Sequence, residues 1–200
     1  MRATHPFGDG PHLRSGMEST VTVLGIAGSL RKGSLNRAAL RAAQALAPEG
    51  VKVEIFDLDG IPLFNQDEEA APPARVVELK ARVRSADAVL FVTPEYNHSI
   101  PGVLKNAIDW GSRPYGEGAW RAKPVAVMGA SPSPLGTVRA QHHLRQILVD
   151  LDMHLLNQPE VLICGAAQKF DAAGNLTDER TRKSIQDMLT ALAAWTRRQQ

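Results

Sequence analysis

The chain has 200 residues, 44% hydrophobic and 22% charged, with 16 Gly, 13 Pro and a single Cys. This excludes collagen-like, disordered and coiled-coil classes, a disulfide framework and a Cys-cluster metal site, and it leaves room for one well-buried core in a reducing cytoplasm. A net charge of +2 with 5% aromatic residues lacks the concentrated basic patch and stacking platforms of nucleic-acid binding, and no apolar run approaches the ~20 residues of a membrane helix.

Residues 1–19 carry Pro, Gly and His without periodicity and lack the apolar stretch of a secretory signal. They read as a flexible tail in which Met17 is a candidate natural start and His5 and His12 are solvated. Residues 20–200 read as one domain. Val21–Ala27 is a short β-rich run ending at Gly28-Ser29, and Ser34–Leu46 has helical spacing after a polar start. Val51–Phe56 alternates as a strand, residues 57–73 are loop-rich, and Pro72 opens a helix running through Val83. Ala86–Thr93 is a third strand, apolar enough to be covered on both faces, and a helix follows over Gly102–Gly111. Pro124–Ala130 is the fourth strand, Val138–Asp150 the next helix and Val161–Cys164 a short fifth strand. Asp178 caps a final helix reaching Trp195.

Strict alternation of strand and helix gives a parallel sheet, because right-handed crossovers place helices on both faces. The expected fold is a flavodoxin-like three-layer α/β sandwich, with a five-stranded parallel sheet of order 2-1-3-4-5 and ligands at the carboxyl ends of its strands.

Gly28–Asn36 (GSLRKGSLN) joins the first strand directly to a helix start. Its glycines permit tight turns, its hydroxyls donate hydrogen bonds, and the helix offers unpaired N–H groups to which Arg31 adds a guanidinium fork. A phosphate dianion suits that set. The alternative is a simple N-cap at Ser34 with solvated basic residues. Ser34-Leu35 stands where a Walker A loop requires Lys followed by Ser or Thr, and Gly25 and Gly28 have the wrong spacing for a dinucleotide fingerprint. Asp57, at the end of the second strand, is accordingly read as a turn residue rather than a ribose ligand. Thr93–Gly102 brings a ring, an amide and backbone N–H groups to the same edge, suited to a flat heteroaromatic ring; a Pro-bracketed turn with Tyr96 half buried is the alternative. Gly129–Thr137 adds small residues that let a ligand approach the backbone. The three loops together point to a mononucleotide site.

At these residues the sequence resembles a known family. GSLRKGSLN, TPEYNHSIPGVLKNAIDW (Thr93–Trp110) and GASPSPLGTVRAQ (Gly129–Gln141) are similar to the NADPH-dependent FMN reductases, nearest their chromate and quinone reductase branch, over about Val21 to Cys164. The resemblance implies bound FMN, with Ser29, Arg31, Ser34, Leu35 and Asn36 on its phosphate and ribityl side. It implies Pro94, Glu95, Tyr96 and Asn97 at the isoalloxazine, and Ser131 and Gly136 near the pyrimidine end. It further implies NADPH or NADH as hydride donor in a ping-pong cycle and a small-molecule electron acceptor: a quinone, azo compound, nitroaromatic, chromate or free flavin. No acid–base side chain is demanded by such a cycle. A homodimer or homotetramer is also implied, with Trp110 at the interface or in the core. Arg113 and Arg139 are candidates for an anionic substrate group against ordinary surface roles, while His142, His143, Cys164 and Met128 read as structural. The competing reading is a flavodoxin-type carrier that does not itself oxidise NAD(P)H; the near-neutral charge argues against its usual acidic docking surface. A response-regulator module is disfavoured by Ala27-Gly28-Ser29 where acidic residues would cluster.

Overall fold

The computed structural model describes residues 19–199; the tail reading for residues 1–18, with His5, His12 and Met17, lies outside them. The chain order is β1 (Val21–Ala27), α1 (Leu35–Ala45), β2 (Val51–Phe56), α2 (Ala74–Ser85), β3 (Ala88–Val92), α3 (Gly102–Gly111), β4 (Pro124–Ala130), α4 (Val138–Asp150), β5 (His154–Leu155), β6 (Val161–Ile163) and α5 (Glu179–Gln199). All pairings among these strands are parallel and the order is β2-β1-β3-β4-β5, as expected. The expected fifth strand, Val161–Cys164, is β6 over Val161–Ile163, and β5 is a two-residue strand before it that was not expected. β5 pairs with the start of β4 at Pro124 and Val125, and β6 pairs with its end at Met128–Ala130. The second helix also starts later than expected, at Ala74 with Pro73 as its N-cap, and α5 runs on past Trp195 to Gln199.

Period-two alternation sends each central strand's side chains to two cores. Val21 and Val23 of β1, Leu90 and Val92 of β3 and Met128 of β4 meet α1 and α5 through Leu40, Ile185, Met188 and Leu189. Leu24, Ile26, Val89, Phe91 and Val127 face α2, α3 and α4 through Leu79, Leu104, Ile108 and Leu144. Such fully covered central strands explain their near-continuous apolar runs. The edge strand β2 is only half covered, and Ile55 on it stays 37% exposed.

The ladders continue into the loops. Gly28 N donates to Val92 O at 2.9 Å, Thr93 N to Met128 O at 2.9 Å and Ser131 N to Ile163 O at 3.0 Å. These bonds bring the loops after β1, β3 and β4 side by side at the carboxyl edge of the sheet. Trp110 is buried and donates from Nε1 to Pro62 O at 2.9 Å, with Phe64 edge-on at 5.0 Å. Of its two expected locations, the structure gives it the core.

Candidate functional site

The three loops enclose an open cleft of about 180 Å³, lined by Ser29, Arg31, Ser34, Leu35, Asn36, Pro94, Glu95, Tyr96, Ala130, Ser131 and Pro132. It lies where the strand order reverses between β1 and β3, the usual ligand position in an open α/β sheet. Nine of the residues singled out in the sequence meet here. Ala130 and Pro132 were missed, although both flank Ser131 and follow from it.

On the β1 side, Ser34 is the N-cap of α1, its Oγ accepting from Asn36 N at 3.2 Å and Arg37 N at 3.4 Å. No hydrogen bond or ion pair occupies the Ser29 hydroxyl or the Arg31 guanidinium among the described residues, so both remain available to an anion beside the positive end of the helix. Leu35 opens α1 and packs on the core. Asn36 is buried and its side chain is committed to the protein: Nδ2 donates to Ala130 O and Oδ1 accepts from Ala130 N, both at 2.8 Å. This pair fastens α1 to the end of β4 and holds two walls of the cleft together. Asp57 accepts from Asp59 N at 3.2 Å, as a turn residue does, and also pairs with Arg37.

On the β3 side, Tyr96 and Ser99 exchange two backbone hydrogen bonds of 3.0 Å around Asn97 (φ 51°) and His98 (φ 65°). Positive φ at both central residues is the tight type I′ hairpin, which Asn tolerates well. Asn97 sits at its tip, outside the cleft lining. Tyr96 is half exposed. The Glu95 side chain reaches α4 instead of open solvent: Oε2 accepts from Arg139 N at 3.1 Å and Ala140 N at 3.2 Å, and Oε1 accepts from Arg139 Nε at 2.5 Å. Burial raises the Glu95 pKa, but the Arg139 guanidinium and the two helix N–H groups outweigh it and hold the carboxyl below its usual range. Glu95 therefore neutralises Arg139, and the cleft keeps the positive character of Arg31. Two further contacts tie the hairpin to α4: Arg139 Nη1 meets His98 Nε2 at 2.7 Å and His143 Nδ1 meets Ser99 Oγ at 3.1 Å. His142 and His143 are both on the exposed face of α4. This strapping joins residues more than 40 positions apart, and no local pattern announces it.

On the β4 side, Ser131 Oγ lies 3.1 Å from Ser133 Oγ and accepts from Ser133 N at 3.1 Å. Gly136 is buried beneath this loop, not on the cleft. It has φ 54°, and a Cβ there would lie 2.8 Å from Cys164 Sγ and 3.1 Å from the Leu162 backbone. Its role here is to let the loop turn. Arg113 is stacked over Tyr115, 3.9 Å from the ring centroid, and does not line the cleft. Among the described residues no group of His, Cys, Asp or Glu could hold a metal ion, and no helix is long and apolar enough to cross a membrane.

Fold and cleft together define a mononucleotide-binding doubly wound α/β protein. Residues 21–168 match the family model of the NADPH-dependent FMN reductases, and the chain belongs to that family. It is 54% identical over 184 residues to an NAD(P)H-dependent FMN reductase of Pseudomonas aeruginosa, covering 91% of this chain and 98% of that one. It is 47% identical over 182 residues to a quinone reductase of Pseudomonas putida, covering 90% and 97%. Among solved structures, the flavoenzyme FerB, an NAD(P)H:(acceptor) oxidoreductase of Paracoccus denitrificans, superposes with a TM-score of 0.83 at 40% identity, covering 90% and 98%.

Proposed function

We propose that the protein is an FMN-dependent NAD(P)H oxidoreductase that reduces quinones and other flat electrophiles. The observation that carries this reading is the cleft itself: the Ser29 and Arg31 side chains, without a hydrogen-bond or ion-pair partner among the described residues, at a helix N-terminus on one side, and an aromatic hairpin and a small-residue loop on the other. That donor set suits the phosphate and ring of FMN. Ser29, Arg31 and Ser34 hold the phosphate, Leu35 and Asn36 form the floor beside it, Pro94, Tyr96 and the backbone of Glu95 and Asn97 flank the ring, and Ser131 closes the far end on the turn that Gly136 permits. Bound FMN supplies two-electron chemistry, accepting a hydride from NADPH or NADH and passing electrons to an acceptor.

The protein's own groups bind and orient, and the acidic side chain nearest the cleft, Glu95, is locked onto α4. Each of the three loops leaves one large apolar side chain exposed: Leu30, Tyr96 and Leu135. Exposed apolar side chains on these loops suit quinones better than chromate, with azo compounds and free flavin also accommodated. Donor and acceptor take turns over one open face, so plots of initial rate against NADPH at several quinone concentrations are expected to run parallel. Intersecting plots contradict the shared face.

The chain also forms a homodimer or homotetramer in this reading. Support comes from a groove of about 500 Å³ between α3 and α4, rimmed by Tyr115, which is 81% exposed. Dependence on NAD(P)H and a free Cys164 suit a cytoplasmic enzyme.

A further inference from the structure

We propose that a second hollow, beside the cofactor cleft, receives the adenosine half of the hydride donor, and that Arg41 reads its 2′-phosphate. This rests on the reading of the cleft as an FMN site. The hollow, about 140 Å³, lies between α1 and the carboxyl end of β2, with Leu40, Ile55 and Phe56 as apolar walls and Arg37, Arg41 and Asp57 as polar ones. Ser29 lines both spaces, so they adjoin.

Three features point to a ligand that is apolar and flat at one end and anionic at the other. First, Ile55 is a strand residue left uncovered over buried Leu40, a surface that suits the face of a purine. Second, Arg31, Lys32, Arg37 and Arg41 run along the loop and α1 towards the hollow, and Asp57 is the acid that lines it. A single flavin phosphate at Arg31 leaves cation to spare. Third, the two arginines of the hollow differ. Arg37 forms a bidentate pair with Asp57, Nη1–Oδ1 3.3 Å and Nη2–Oδ2 2.5 Å, which fixes it as a wall. Arg41, one helical turn on, lies beside the Gly174 turn and has no hydrogen bond or ion pair among the described residues. An unpaired guanidinium next to an apolar purine-sized space is the arrangement that distinguishes a 2′-phosphate from a 2′-hydroxyl.

The geometry also allows one donor molecule to reach both sites. The hollow is at the β1 and β2 ends and the ring loops at the β3 and β4 ends; three strand spacings from β2 to β4 amount to about 14 Å, which an extended dinucleotide spans.

The test compares the FMN-loaded protein with its Arg41→Ala variant, an exposed helix position at which alanine is well tolerated. With quinone saturating, the KM for NADPH is expected to rise about tenfold, the scale of one lost charge-assisted hydrogen bond. The KM for NADH should move less than twofold. An equal change for both donors, or none for either, overturns the proposal. Calorimetric titration with adenosine 2′,5′-bisphosphate gives a reading that does not need flavin. Binding about tenfold weaker in Arg41→Ala supports the site, and equal binding, or none to either protein, overturns it. Failure of the cofactor reading is seen separately, as protein that takes up no FMN.

Discussion

Asn36 and Glu95 look in the sequence like ligand contacts, yet their side chains hydrogen-bond the protein. Asn36 is fastened to Ala130, 94 residues away, and Glu95 to the first turn of α4. Their type and loop position were legible; the direction of the side chain was not, because its partner is supplied by a distant strand or helix. Glu95 carries a definite pH prediction. Its pKa is lower in the folded protein than the unfolded value of about 4.3. Its stabilisation is therefore complete above that value and is lost as the pH falls through the folded one. Glu95→Gln is expected to cost about 1–2 kcal/mol at pH 7, from lost charge-assisted bonds, and the gap from wild type should narrow towards pH 3. Urea midpoints at the two pH values check this; a gap of the same size at both would contradict it.

The elements were read well where one residue pattern decides them. β1, β2, β4, α3 and α4 have the expected bounds because apolar periodicity and flanking Gly, Pro or polar caps coincide there. Val161–Ile163 was legible as a strand, whereas β5 before it was not. β5 is two residues long, too short for alternation to register, and it pairs with the opposite end of β4 from β6. The strap of residues 62–64 along α3, through Asn106 and Trp110, is equally silent in sequence. One element-level constraint is sharp. A Cβ at Gly129, near the end of β4, would lie 2.0 Å from Thr137 Oγ1 and 2.3 Å from Thr93 O. The second atom is backbone of a buried loop and cannot yield cheaply, so Gly129→Ala should lose about 3 kcal/mol or more. Chemical denaturation measures it; a loss under 1 kcal/mol would show that the loops after β3 and β4 are not held as closely as described.

For the molecule as a whole, composition narrowed the class and the loops supplied the chemistry. The small positive balance acquires a location: cations gather along the first loop and α1, towards the cleft and the hollow beside it, and Glu95 neutralises the guanidinium of Arg139 on the far side. That distribution favours binding small anionic nucleotides over docking as an acidic electron carrier. The carrier and the enzyme separate on one property, oxidation of NAD(P)H without a partner protein. The central claim is more basic still, that this cleft holds FMN. Titration of the purified protein with FMN, followed by visible absorbance and flavin fluorescence, tests it most directly. Saturation at one FMN per chain, with a perturbed flavin spectrum, is the predicted result; a protein whose addition leaves the spectrum and fluorescence of FMN unchanged would contradict it.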